Sequence, residues 1–197
     1  MHAYATESRS QVYGYLAVLA TVIALILNRA LDYIGWQYGW LVGAPSVGGA
    51  FVLLLGMFNV WAWRWRWLHR VGVVATPVID GTYDGVLRSS YQGGIDVPVR
   101  IIIEQHWLGI LIRFEVLGSE TSSSRSVTAA VRVEGYRDAR LIYTYLNQVR
   151  PGYADADMAD HDGTAEVIVT ADGRIDGRYF NFRGRQGRLT LNRTPSE

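Results

Sequence analysis

The segment NFRGRQGR, residues Asn181–Arg188, contains three arginines and two glycines without an acidic residue. Arginine presents a planar fork of N–H donors that can bind one phosphate through two hydrogen bonds. Gly184 and Gly187 would let a ligand approach the backbone and would allow a positive φ. Arg183 and Arg185 are therefore candidate phosphate ligands. Taken alone, the segment favours the alternative of a solvated hairpin whose arginines pair with nearby acids.

Hydroxyl and charged side chains in two other segments could contact the same kind of ligand. SETSSSR, residues 119–125, offers Ser122 and Ser124 to phosphate or ribose, with a flexible polar loop as the alternative. In LGILIRFEV, Arg113 and Glu115 share one face of a predicted strand. If that face points inward, the arginine is a ligand group or part of a buried pair. If it points outward, the two residues form a surface pair of little energetic weight.

Tyrosines alternate with other residues in LIYTYLN, residues 141–147. Tyr143, Tyr145 and Asn147 share one face of this predicted strand. Tyrosines that line a barrel could stack on a nucleobase. Ordinary packing between strands is the alternative.

Residue types suited to catalysis or metal binding are sparse. The sequence has no cysteine, and its four histidines lack ligand spacing. The acidic segment DADMADHDG, residues 155–163, lacks the ligand order of a calcium loop and is better interpreted as a disordered acidic loop. No nucleophile elbow, Walker loop or dinucleotide fingerprint occurs. We therefore expect neither an enzyme nor a metal or cofactor site, and the net charge of +1 argues against DNA or RNA as a partner.

Two uncharged apolar runs, residues 12–27 and 44–63, approach the ~20 residues that a membrane-spanning helix needs. Six of the seven tryptophans precede residue 70 and flank these runs, as interfacial aromatic belts do. We predict that residues 1–75 form a two-helix transmembrane hairpin. A cleaved signal peptide is the alternative for the first run, but no clean cleavage site follows it. A soluble hairpin would show a polar face, which these runs lack.

The arginines near the ends of the two runs predict the orientation. Arg64, Arg66 and Arg70 follow the second run, whereas the segment between the runs offers only Arg29, balanced by Asp32. Because Arg and Lys are enriched on the cytoplasmic side of membrane proteins, we expect both termini and the C-terminal domain to be cytoplasmic.

After residue 77 the sequence changes to short β-rich runs separated by Gly, Asp and Ser, several of them with period two. No helical period interrupts them, which excludes a βαβ arrangement. We predict that residues 76–197 form a small eight-stranded antiparallel up-and-down, lipocalin-like β-barrel, with a sandwich as the alternative. The predicted strands are 81–88, 96–105, 107–116, 124–134, 139–147, 163–170, 174–183 and 187–193.

The lengths of the connections predict where a binding site would lie. In a meander that starts beside the membrane, the near connections, around residues 105–107, 135–138 and 171–173, are short. The far connections, residues 89–94, 117–124, 147–163 and 183–187, are longer or richer in polar residues. Because function concentrates in loops, we expect a ligand site at the far end, which includes the arginine hairpin.

Several segments resemble, in order, the two-transmembrane β-barrel effectors of bacterial CBASS antiphage defence, which are found beside cGAS-like nucleotidyltransferases. The segments that carry the resemblance follow the paired apolar runs and are DGTYDGVLRSSY, IEQHWLGILIRFEV, LIYTYLN, HDGTAEV and YFNFRGRQGRLTL. The family pattern often has Thr and Lys around the tryptophan where this chain has His106 and Gly109. This departure leaves the role of that turn open.

The resemblance implies a receptor for a cyclic di- or oligonucleotide made during infection. Ligand binding would drive homo-oligomerisation, and the clustered spans would disrupt the bacterial inner membrane and kill the cell. Two alternatives stay open, namely a membrane-anchored lipocalin-like carrier of an apolar ligand and an anchored protein-interaction scaffold. The expected ligand-binding residues are Arg113, Ser122, Ser124, Tyr143, Tyr145, Asn147, Thr164, Arg183 and Arg185.

Overall fold

The computed structural model describes all residues except 7–8, 34–45, 91–93, 120, 135–137, 154–158 and 196–197. The chain divides into two units, a helical unit of residues 8–75 and a β unit of residues 1–7 and 76–197.

The helical unit contains two apolar helices that pack against each other, α1 (Ser10–Tyr33) and α2 (Val47–Val60). Ser46 caps α2, its hydroxyl accepting a hydrogen bond from Gly49 N at 2.9 Å. A short 3₁₀ turn at residues 62–64 and α3 (Arg66–Arg70) follow. Within the described residues, only Ser10–Leu31 is both long and apolar enough to cross a membrane, and α2 is shorter. The two-span hairpin therefore stays a prediction, and its connecting segment lies outside the described residues.

The β unit is an antiparallel eight-stranded barrel with meander order, as the alternation of residues predicted. Each of the eight long strands pairs with the next in the chain, the first pairs with the last, and the barrel closes between the third and fourth. A ninth, very short strand precedes the helices in the sequence. The strands are β1 (His2–Ala3), β2 (Gly81–Ser89), β3 (Asp96–Gln105), β4 (Gly109–Val116), β5 (Ser122–Glu134), β6 (Asp138–Val149), β7 (His161–Val169), β8 (Arg174–Asn181) and β9 (Gln186–Arg193).

Side chains at alternate positions fill one end of the barrel interior, the end with the short turns. Tyr83, Ile110 and Leu191 are fully buried there. Gln105 is also buried, and its side chain accepts a hydrogen bond from Ile79 N at 2.9 Å. Because this end is packed, any space for a ligand must lie at the opposite end, where the longer loops connect the strands.

The barrel closes between β4 and β5 through only two direct residue pairs, Arg113↔Arg125 and Phe114↔Ser124. Over the rest of this seam, β1 lies between the two strands, antiparallel to β4, and Ala5 forms a parallel bridge to β5. This strand was not predicted, because two residues carry no measurable periodicity.

Candidate functional site

A cavity of about 240 Å³ lies inside the barrel at the loop-rich end. The apolar part of its wall comes from five strands. The apolar residues that line it are Leu87, Val97, Phe114, Val116, Ala165 and Leu189. These side chains stand at inward positions of the strands, in line with the buried residues nearer the packed end. The cavity is thus the unfilled continuation of the barrel core.

Two hydrogen-bonded pairs line the polar part of the cavity. Ser124 Oγ donates to Asn147 Oδ1 at 2.8 Å, which joins β5 to β6 and orients the amide group. Ser89 Oγ and Tyr179 Oη lie 2.8 Å apart and join β2 to β8. Each pair fixes the direction of a group that can bind a ligand, so part of the orientational cost is met before a ligand arrives.

Two tyrosines stand side by side on the β6 wall of the cavity. The ring centroids of Tyr143 and Tyr145 are 6.3 Å apart. Burial raises the pKa of both phenols, so both hydroxyls stay neutral at physiological pH. Gly163 on β7 makes room for the second ring, because a Cβ there would lie 2.5 Å from Tyr145 Oη. Neutral aromatic faces of this kind can stack on a nucleobase.

The arginine hairpin between β8 and β9 folds around one asparagine. Asn181 Oδ1 accepts hydrogen bonds from Arg183 N and Arg185 N, each at 3.1 Å. Gly184 adopts a φ of +70°, which favours glycine. The other glycine of the motif, Gly187, leaves room for a ring, since a Cβ there would lie 2.6 Å from Tyr179 Cε1. Both arginines line the cavity.

The structure brings most of the sequence-predicted site residues together. Seven line the cavity, namely Ser122, Ser124, Tyr143, Tyr145, Asn147, Arg183 and Arg185. Arg113 and Thr164 do not line it, because inward and outward positions alternate along a strand. Their neighbours Ile112 and Ala165 face the interior, and Arg113 instead forms an outer ion pair of 2.6 Å with Glu104.

Sequence reasoning did not select several other cavity residues. His161, whose Nδ1 lies 3.0 Å from Ala159 O, is paired across strands with Asn147. Ser89 and Tyr179 meet across 90 positions of sequence. The alternation of residues along β8 could have predicted that Tyr179 and Asn181 line the cavity, because both share the inward face with Arg183. The contact between Ser89 and Tyr179 could not be predicted from the sequence, because no local pattern relates residues so far apart.

The outer face of the same hairpin carries arginines of a different kind. Arg178 pairs with Glu166 at 3.0 Å, and Arg188 pairs with Asp176 at 3.1 Å. The hydrogen bonds from Arg178 and then Arg140 hold the pKa of the Glu166 carboxyl below its ordinary value. The hairpin thus separates its arginines into an outer, acid-paired set and a set on the cavity. Among the described residues, no group of three His, Asp or Glu side chains could hold a metal ion.

A closed barrel with one end unfilled defines a class of small-ligand-binding proteins. Apolar walls, paired tyrosines and two arginines suit a ligand with both aromatic and anionic parts. Residues 74–193 match the family model of the Cap15 cyclic dinucleotide receptor domain. The match covers more than half of the chain, so the chain belongs to this family, in agreement with the CBASS resemblance. A comparison with curated proteins finds no match.

Proposed function

We propose that this protein is a non-enzymatic antiphage effector whose barrel binds a cyclic di- or oligonucleotide. Binding would drive oligomerisation of the chain, and the clustered apolar helices would then disrupt the bacterial inner membrane and kill the cell. The observation that carries the ligand half is the cavity, where tyrosines and arginines meet in a receptor domain of the Cap15 family. The bases of a cyclic dinucleotide offer aromatic faces to Tyr143 and Tyr145. Its phosphates offer paired acceptors to Arg183 and Arg185.

The helical unit supports the membrane half of the proposal. Its longer helix exposes large apolar side chains such as Val18, Leu25 and Ile26, each more than half exposed. A contiguous apolar surface of this kind is expected of a segment that contacts lipid or other helices. Two helices cannot enclose a pore, so damage to the membrane requires several copies. The arginine counts near the ends of the apolar runs favour a cytoplasmic position for both termini and the barrel.

Calorimetry of the full chain in detergent micelles, titrated with symmetric cyclic dinucleotides of adenine, guanine and uracil, tests the ligand half. We expect one of them to bind, and the corresponding linear dinucleotide to bind more weakly because it is less preorganised. A folded chain that binds none of the panel, but binds a fatty acid, would instead favour the apolar-carrier function, for which the apolar cavity wall is the relevant observation.

Asn181→Ala is expected to weaken binding of that nucleotide by about 5- to 100-fold, because two hydrogen bonds of about 0.5–1.5 kcal/mol each hold the arginine hairpin in place. Amide hydrogen exchange at Arg183 and Arg185 should become faster. Asn181→Asp keeps the acceptor oxygen and should retain the slow exchange. Asn192→Ala, at an exposed position of β9, is the matched control. Unchanged exchange and affinity in Asn181→Ala would show that the side chain does not position the hairpin.

A further inference from the structure

The seam between β4 and β5 is the weakest line of the barrel wall. β3 and β4 pair at seven positions, from Val99↔Val116 to Gln105↔Ile110. β4 and β5 pair directly at only two positions, both at the loop-rich end. Without β1, the remaining backbone edges of β4 and β5 would be unpaired, and unpaired edges are templates for another strand.

β1 cannot be an ordinary strand of this barrel. Its two neighbours run antiparallel to each other, so an inserted strand must lie parallel to one of them, and parallel pairing is slightly less stable. β1 pairs with β4 as His2↔Ile110 and Ala3↔Gly109. On the β5 side, Ala5 N donates to Ala129 O at 3.0 Å and Ala5 O accepts from Val131 N at 2.8 Å. The strand is therefore held by few backbone hydrogen bonds.

Side chains of the same segment fit specific partners in the seam. Tyr4 is only 5% exposed, and its hydroxyl donates to His106 O at 3.3 Å. Ser126 Oγ lies 2.7 Å from His2 Nε2 and accepts a hydrogen bond from Ile112 N at 2.9 Å. The seam is thus a built site for this particular short sequence, and a second copy of the chain carries the same sequence.

The position of β1 in the sequence favours exchange. β1 precedes α1 and is not consecutive with any other strand of the barrel, so moving β1 into the seam of another copy would leave the order and pairing of β2 to β9 unchanged. Exchange of an identical element is a low-cost route to association.

We infer that the seam is a strand-exchange interface in which β1 of one copy fills the seam of a neighbouring copy. The inference rests on the proposed function, because it names the contact that would join the copies of its oligomer. When each copy passes β1 to the next copy instead of trading it back, the contact is heterologous, so each added copy offers a new strand and a new seam, and assembly can continue. Copies confined to one membrane have a high effective concentration, which favours exchange.

The cavity borders the seam, so a ligand can act on it. Phe114 and Ser124 line the cavity and also form one of the two direct β4–β5 pairs. Ser126, which contacts His2, lies two residues along the same strand from Ser124. A ligand that shifts β4 relative to β5 at this pair would change the width of the seam that holds β1. Ligand binding would thus favour release of β1 and its capture by a neighbour.

Cysteine crosslinking tests the exchange, since the chain has no cysteine of its own. Two full-length variants with different tags, Ala5→Cys and Ala130→Cys, are co-expressed, assembled in detergent with the bound nucleotide or by concentration, and oxidised. Ala5 and Ala130 are bridge partners, so exchange should produce a disulfide between the two differently tagged chains. Ile142→Cys replaces Ala130→Cys in the control, because Ile142 is the partner of Ala130 on the next strand away from the seam.

The crosslink pattern decides between the outcomes. Interchain product with Ala130→Cys, well above that with Ile142→Cys, supports exchange. The double variant Ala5→Cys/Ala130→Cys should close within one chain and block assembly. Because ligand binding and release of β1 are coupled reciprocally, its nucleotide affinity should fall below that of the wild type, and reduction of the disulfide should restore it. An assembled fraction without the interchain product overturns the exchange but leaves the proposed function standing. Failure of the wild-type chain to bind any cyclic dinucleotide counts against the proposed function instead, and crosslinking of the concentrated sample still decides the exchange.

Discussion

Replacing Arg183 and Arg185 together with alanine is expected to weaken cyclic dinucleotide binding by about 10²- to 10⁴-fold. A hydrogen bond to a charged group contributes about 1.5–3 kcal/mol, and each arginine would donate to one phosphate. Both arginines line the cavity and both lie on a hairpin held by Asn181. The affinity of the wild-type chain should also fall with ionic strength, and the double variant should lose most of this dependence. Calorimetry at two salt concentrations measures both effects.

The matched control removes two arginines from the same hairpin but from its outer face. Arg178→Ala/Arg188→Ala changes the net charge by the same amount and breaks only surface ion pairs with Glu166 and Asp176, which contribute little to stability. Its nucleotide affinity should stay within a few-fold of the wild type. Equal losses in the two double variants would mean that overall charge, and not the cavity, controls binding.

Filling the cavity from its wall should weaken ligand binding while the barrel stays folded. Ala165 on β7 is buried, lines the cavity, and is paired across strands with Tyr143 and Tyr179. In Ala165→Phe the new ring would occupy the space between Tyr143 and Tyr179. Loss of stacking on one base alone costs about 1–3 kcal/mol, so we expect affinity to fall by about 5- to 150-fold.

Thermal unfolding and circular dichroism must accompany this variant, because overpacking costs about 1–3 kcal/mol. Ala165→Val provides a smaller step and should give an intermediate loss of affinity. Thr144→Phe adds the same ring on the outer face of β6 and should bind as the wild type does. If Ala165→Phe keeps full affinity, the ligand does not enter the barrel. If no variant affects any ligand, the anchored-scaffold function becomes the better explanation.

The barrel is the part of the fold that the sequence predicts best. Alternating residues such as Ile110, Ile112 and Phe114 define strands locally, and the eight predicted strands correspond to the eight long strands of the structure. Glycine and aspartate at the turns define their ends. The short and long connections then determine which loops share an end, because a meander reverses direction at every strand. The position of the arginine hairpin at the loop-rich end follows from that local information, and so does the shared strand face of Tyr143 and Tyr145.

The inward or outward direction of a strand face was open for Arg113, because alternation relates neighbouring residues but does not say which face the closed barrel encloses. When the sheet closes into a barrel, Ile112 lies in its interior and Arg113 lies on its outer surface. The same reasoning removed Thr164 from the cavity, where its neighbour Ala165 stands. For the helices, composition predicted two apolar segments. Within the described residues, one helix has the length and hydropathy of a span.

The sequence by itself determined the eight long strands and, for strands connected as a meander, the end of the barrel at which arginines, tyrosines and serines gather. These properties depend on residues that are close in sequence. Only the tertiary structure decided the pairs that join distant strands, such as Ser89 with Tyr179, and the place of β1 in the seam. Such contacts form when a sheet closes on itself, and a two-residue strand is stabilised by its neighbours rather than by its own periodicity.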